Sequence, residues 1–157
     1  MSYFKFMMLS CIQYSAQFVA TFCSSIFAGA AVYVSFVEHP ARMECGPLLA
    51  STEFAPSYKR AAIMQASLAA LGFTSSVAAW LAGAGGWWLI GGIVLGSVIP
   101  FTLLFVIPVN KELLNPSIDK QPDKINHLLM RWGRLHAARS VLGTISLLVF
   151  LSSLFRH

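Results

Sequence analysis

The chain has 157 residues, of which 57% are hydrophobic and 11% charged, and its mean hydropathy is +0.69. Soluble domains carry about 25% charged residues, so this composition excludes an ordinary water-soluble enzyme and points to an integral membrane protein. The net charge of +5 gives no support to nucleic-acid binding, because no exposed basic helix or sheet remains to carry it.

A stretch of about 20 apolar residues spans a bilayer core, and four such stretches run near residues 12–37, 61–81, 87–109 and 135–154. Four spans with short connections leave room for one domain over residues 1–157. They predict an all-α, integral membrane four-helix bundle of up-down-up-down order. The first stretch begins after a single lysine, Lys5, and contains Ala28-Gly29-Ala30, which fits a signal-peptidase site. Its apolar run nevertheless continues to Val37, longer than a signal segment, so it reads as a retained helix. The cysteines, Cys11, Cys23 and Cys45, form no Cys-x-x-Cys pair, and the first two fill apolar positions of that helix.

The connection Glu38–Arg60 contains Pro40, Pro47 and Pro56 and is expected to be ordered without being one continuous helix. Ala82-Gly83-Ala84-Gly85-Gly86 predicts a tight helix-to-helix turn; it lacks the Gly-Lys-Ser/Thr of a phosphate loop. In the third span Gly92-x-x-x-Gly96 permits a close helix contact, Pro100 predicts a kink, and Pro108 an end or a bend. The fourth helix is expected to start near Pro122, with Asp119 and Asp123 favourable at its N-terminus. Running to Leu154, it would be about 50 Å long at 1.5 Å per residue. Its first turns would then project from the membrane, with Arg139 about one turn inside.

Charge placement is one-sided. All six acidic and nine of the eleven basic residues fall in or beside Glu38–Arg60 and Asn110–Arg134, leaving only Lys5 and Arg156 at the other end. The positive-inside rule puts both connections in the cytoplasm or its organellar equivalent, with the termini opposite. Antiparallel threading gathers Glu38, His39, Arg42, Tyr58, Asn110, Trp132, His136 and Arg139 at that one end, which is where a pocket is expected. Trp132, His136 and Arg139 share a helix face at spacings of four and three, with Arg131 eight residues from Arg139 and near the same face. A charge as deep as Arg139 needs a counter-charge, and Glu38 is its expected partner. His136 reads as a structural histidine, as a general base, or, as the weaker idea, as a metal or haem ligand together with His39. No His-x-x-x-His or Glu-x-x-His pair supports a metal. Trp132 is either an interfacial anchor or a stacking platform. Asn110 either caps the third helix or donates a hydrogen bond into the pocket.

Pro108-Val109-Asn110-Lys111-Glu112-Leu113, followed by Leu129-x-Arg131-Trp132-Gly133-Arg134-Leu135-His136-x-x-Arg139, resembles the anthrone oxygenase-like family of small four-span membrane proteins. Glu38-His39-Pro40-Ala41-Arg42 and Glu53-Phe54-x-Pro56-x-Tyr58 look like one branch of it, so the resemblance runs over essentially the whole chain. It implies oxidation of anthrones, flat tricyclic polyketides, to anthraquinones by dioxygen without metal or flavin. It also implies roles for Asn110, Trp132, His136 and Arg139. The expected function is a membrane oxidoreductase, a cofactor-independent monooxygenase acting on a hydrophobic aromatic or quinone-like molecule. Catalysis would fall to His136, Arg139, Glu38 and Asn110, and binding to Trp132, His39, Arg42, Tyr58 and Arg131. The alternatives are a non-catalytic lipid- or quinone-binding module and a structural subunit of an oligomer or larger membrane complex.

Overall fold

The computed structural model describes residues 2–155. The side chains of Lys5, Asp119 and Lys120, and all of Arg156, lie outside what is described. Four helices long and apolar enough to cross a membrane account for nearly all of it, and there is no strand among the described residues. The first helix runs Ser2–Tyr33, widens into a π segment Val34–Glu38 and continues as His39–Glu44. The second is Pro47–Leu81. The third is Gly86–Phe101, a π segment Thr102–Val106, and Ile107–Leu113. A 3-10 turn, Pro116–Lys120, leads into the fourth helix, Pro122–Leu154.

Each helix packs against its sequence neighbours and the first against the fourth, with little contact across the diagonals, which is the up-down-up-down square. Phe18, Phe36, Ile63 and Leu104 are among the many large apolar side chains left exposed. Such a surface is a liability in water and the natural lining of a lipid-facing bundle. Small residues hold the interior together. A Cβ on Gly92 would collide with Ser76 of the second helix, and one on Gly96 would come within 3.0 Å of the Phe73 ring. Hydroxyls add polar ties: Ser146 donates to the Gly91 carbonyl at 2.8 Å, and Ser140 to the Ala31 carbonyl at 2.8 Å.

The first connection is ordered and is not one continuous helix, as expected. Helix continues almost throughout Glu38–Arg60 and breaks only at Cys45–Gly46, where Gly46 adopts φ 81°. Pro47 opens the second helix at a position with no donor to lose, and Pro56 is accommodated inside it. The Gly-rich turn is tight as expected, with Gly83 and Gly85 at φ 98° and 87°, values a side chain tolerates poorly. Pro108 does not end the third helix, which runs on to Leu113.

The two π segments share one cause. Each begins six residues before a proline, Val34 before Pro40 and Thr102 before Pro108. A helical proline has no N–H for the carbonyl four residues back, and its ring crowds that carbonyl. Those carbonyls belong to Phe36 and Leu104, inside the two π segments. Widening the turn relieves the clash without ending the helix, and such bulges recur at functional sites.

Candidate active site at the polar end of the bundle

Between the two π segments the helices leave a cavity of about 200 Å³. Its long walls are apolar, from Ala62, Ala66 and Ala69 of the second helix and Val98, Ile99 and Leu103 of the third. His136, Arg139, Gln65, Glu38, Arg42 and Tyr58 add polar groups to the lining. An apolar chamber with a few converging polar groups is the usual form of a small-molecule site.

Arg139, 8% exposed, reaches across the bundle from the fourth helix. Its Nη2 donates to the Gln65 Oε1 at 2.5 Å, and its guanidinium lies 5.9 Å from the centre of the Phe27 ring. Both partners are neutral. The expected Glu38–Arg139 pair is not formed. Glu38 instead accepts from Arg42, one turn further along the first helix, and from Ser57 Oγ at 2.8 Å. Arg42 also pairs with Glu53 and lies 5.6 Å from both the Phe54 and Trp132 rings. The reason is local: an i, i+4 arginine is within reach of Glu38 without crossing the bundle. With its counter-charge committed elsewhere, Arg139 is left as a buried cation facing a cavity.

His136 is 3% exposed and stacks on Trp132 one helical turn earlier, ring centres 4.8 Å apart and planes within 12°. Neither of its ring nitrogens meets a protein partner in hydrogen-bonding geometry; the Ala31 carbonyl beside it accepts from Ser140. Arg139 Nε, Arg42 Nη1 and Trp132 Nε1 are also buried without partners. Buried polar atoms are nearly always satisfied, so a cluster of unsatisfied ones on a cavity wall marks a place built to meet something else.

The residues singled out in the sequence divide into two groups. Glu38, Arg42, Tyr58, Trp132, His136 and Arg139 line the cavity. His39, Asn110 and Arg131 do not. His39 packs on Trp132 with ring centres 5.3 Å apart and fills the space a Cβ on Gly133 would take, so it supports the tryptophan. Asn110 is 1% exposed with both amide atoms unpartnered, and it sits three residues before the helix end, so it is not a cap. Arg131 is exposed: eight residues at 100° each leave it about 80° round the helix from Arg139. Gln65 and Ser57 were not anticipated, although Gln65 is the only amide in the apolar run 61–81. Among the described residues no three His, Cys, Asp or Glu side chains gather where a metal ion could be held.

Fold and cavity together define a four-helix, multi-pass membrane protein with a buried cationic and imidazole-bearing chamber. Residues 54–149 match the family described as anthrone oxygenase, and the chain belongs to that family. The matched stretch contains Gln65, Asn110, Trp132, His136 and Arg139, while Glu38, His39 and Arg42 precede it. No curated protein and no solved structure matches the chain significantly.

Proposed function

We propose that the chamber oxidises a flat, hydrophobic hydroxyaromatic or anthrone-like compound with dioxygen, using only groups of the chain. The observation that carries this reading is the pair His136 and Arg139: an imidazole with no side-chain hydrogen bond and a buried guanidinium held by neutral partners, one turn apart in an apolar cavity. A deeply placed ionisable residue of this kind is functional by default in a membrane protein.

The chemistry follows from the substrate class. An anthrone carries a benzylic CH2 whose deprotonation gives an aromatic phenolate-type anion. His136 takes that proton as general base. The developing oxyanion lies against Arg139, which Gln65 and the Phe27 ring hold in place before the reaction begins. Trp132 holds the His136 ring in place by stacking on it. The electron-rich anion reduces dioxygen: one oxygen atom becomes the new carbonyl and the other leaves as water with the two benzylic hydrogens. Anthrone and O2 thus give anthraquinone and water, with no electrons left over. We further place the polar end at the cytoplasmic face or its organellar equivalent, on the charge distribution of the connections.

The test is oxygen uptake and anthraquinone formation by the purified protein in nanodiscs supplied with anthrone. Wild type should turn over with equimolar quinone and consumed oxygen, and His136→Gln should lose about 10²–10⁴-fold in rate. Turnover unchanged in His136→Gln would remove the base from this scheme.

A further inference from the structure

The cavity is closed at its polar end and open at its side. Towards water it is sealed by a packed cluster of Phe54, Val109, Leu113, Ile125, Leu129 and Trp132, with the Arg42 ion pairs beside it. The second and third helices press together near the Gly-rich turn, at the Gly92–Ser76 and Gly96–Phe73 contacts, and meet again at the polar end, where Phe54 shares a packed cluster with Val109 and Leu113. Between those two regions they part. The π segment Thr102–Val106 packs on the fourth helix rather than the second. The residues facing it across the gap include Ala62 and Ala66, too short to close it.

Two cavity-lining residues, Ala66 and Leu103, are exposed at this gap, Leu103 to 57%. Both lie within candidate membrane spans. Their exposed neighbours Ile63 and Leu104 are apolar. A hole there meets lipid tails. An ion reaching it would first have to enter hydrocarbon, which is costly, whereas a neutral ring compound concentrates there.

We infer that the cavity opens sideways into the bilayer between the second and third helices, and that its ligand enters from lipid as an uncharged planar ring compound. The ligand class rests on the reading given under Proposed function; the route rests on the gap alone. The ligand acquires negative charge only after it has passed Ala66 and Leu103 and met His136 and Arg139. A water-soluble anion of the same shape would have to cross hydrocarbon to use this opening, so it is expected to stay out even though Arg139 would suit it.

The test uses the full chain in nanodiscs and reads binding without turnover. Anthraquinone and anthraquinone-2-sulfonate are added separately, and entry is followed by quenching of Trp132 fluorescence, with Trp132→Phe as the blank. Anthraquinone should quench and the sulfonate should not. Ala66→Phe should slow entry about tenfold, Leu103→Ala should speed it, and Leu148→Phe, exposed on the fourth helix and outside the cavity, should leave it unchanged. In a chain with its three cysteines replaced by serine, nitroxides on Ala66→Cys and Leu103→Cys should be relaxed by oxygen and not by a water-soluble nickel chelate. Equal quenching by the sulfonate, rim nitroxides open to the chelate, or entry indifferent to both rim variants would each overturn the lateral route. No quenching by anthraquinone in the wild type would overturn the ligand class. Absence of oxygen uptake with anthrone, with quenching intact, counts against the enzymatic reading alone.

Discussion

Arg139 and Gln65 meet across the centre of the bundle, Nη2 to Oε1 at 2.5 Å, and no carboxylate joins them. A neutral amide fixes the guanidinium while leaving its charge uncompensated. That is the arrangement expected where an anion is to be received.

Two substitutions at Gln65 separate structure from binding. Gln65→Leu removes the fixed acceptor and should destabilise the protein by about 1.5–3 kcal/mol, read as a lowered unfolding temperature in detergent. Gln65→Glu supplies a counter-ion, so the fold should hold while anthrone turnover falls. A Gln65→Glu protein as active as wild type would show that Arg139 does not need its charge free.

The ion-pair assignment makes a contrasting pair of double-mutant cycles. Glu38→Gln with Arg42→Gln should show coupling of about 1 kcal/mol or more, and Glu38→Gln with Arg139→Gln should be close to additive. Because Arg42 also pairs with Glu53, Arg42→Gln should cost more stability than Glu38→Gln. Chemical unfolding of the three single and two double variants measures this.

Gly133 sits under His39, whose ring occupies the place of a missing Cβ. Gly133→Ala should therefore destabilise by about 1–3 kcal/mol through overpacking, and His39→Ala should relieve part of that loss in the double variant. The same change pushes on Trp132, so ligand quenching of its fluorescence should weaken in Gly133→Ala before the fold fails.

Cys45 is exposed at the break between the first two helices, at the polar end. With the sidedness proposed above, a membrane-impermeant maleimide should label it in inside-out vesicles and not in intact cells. Cys45→Ser identifies the signal, because Cys11 is exposed as well and only Cys23 is buried. Labelling from the outside would reverse the topology.

Much of this molecule is legible in its sequence because membrane spans announce themselves by length and hydropathy, and the connections by their charges. The four helices, their order, the Gly-rich turn and the shared face of Trp132, His136 and Arg139 all follow from spacing. What spacing does not carry is how a proline is absorbed. The prolines of Glu38–Arg60 argue against one continuous helix, and the chain does break at Cys45–Gly46, yet a widened turn or plain accommodation lets helix run through Pro40, Pro56 and Pro108 themselves. Nor does it carry the choice among partners. Glu38 has two arginines available by antiparallel threading, and proximity along its own helix decides for Arg42. Gln65 was hidden because one amide in an apolar run reads as a neutral exception until a buried cation is found opposite it.

The most direct test of the site omits oxygen. Anthrone is mixed anaerobically with stoichiometric protein, and the absorbance of its anion is followed. Wild type should generate about one equivalent of bound anion, His136→Gln none, and Arg139→Gln far less, because the base and the buried cation act before any oxidant arrives. Oxygen-dependent turnover by a protein that forms no anion in its absence would contradict the assignment of His136 and Arg139 as the groups that make and hold it.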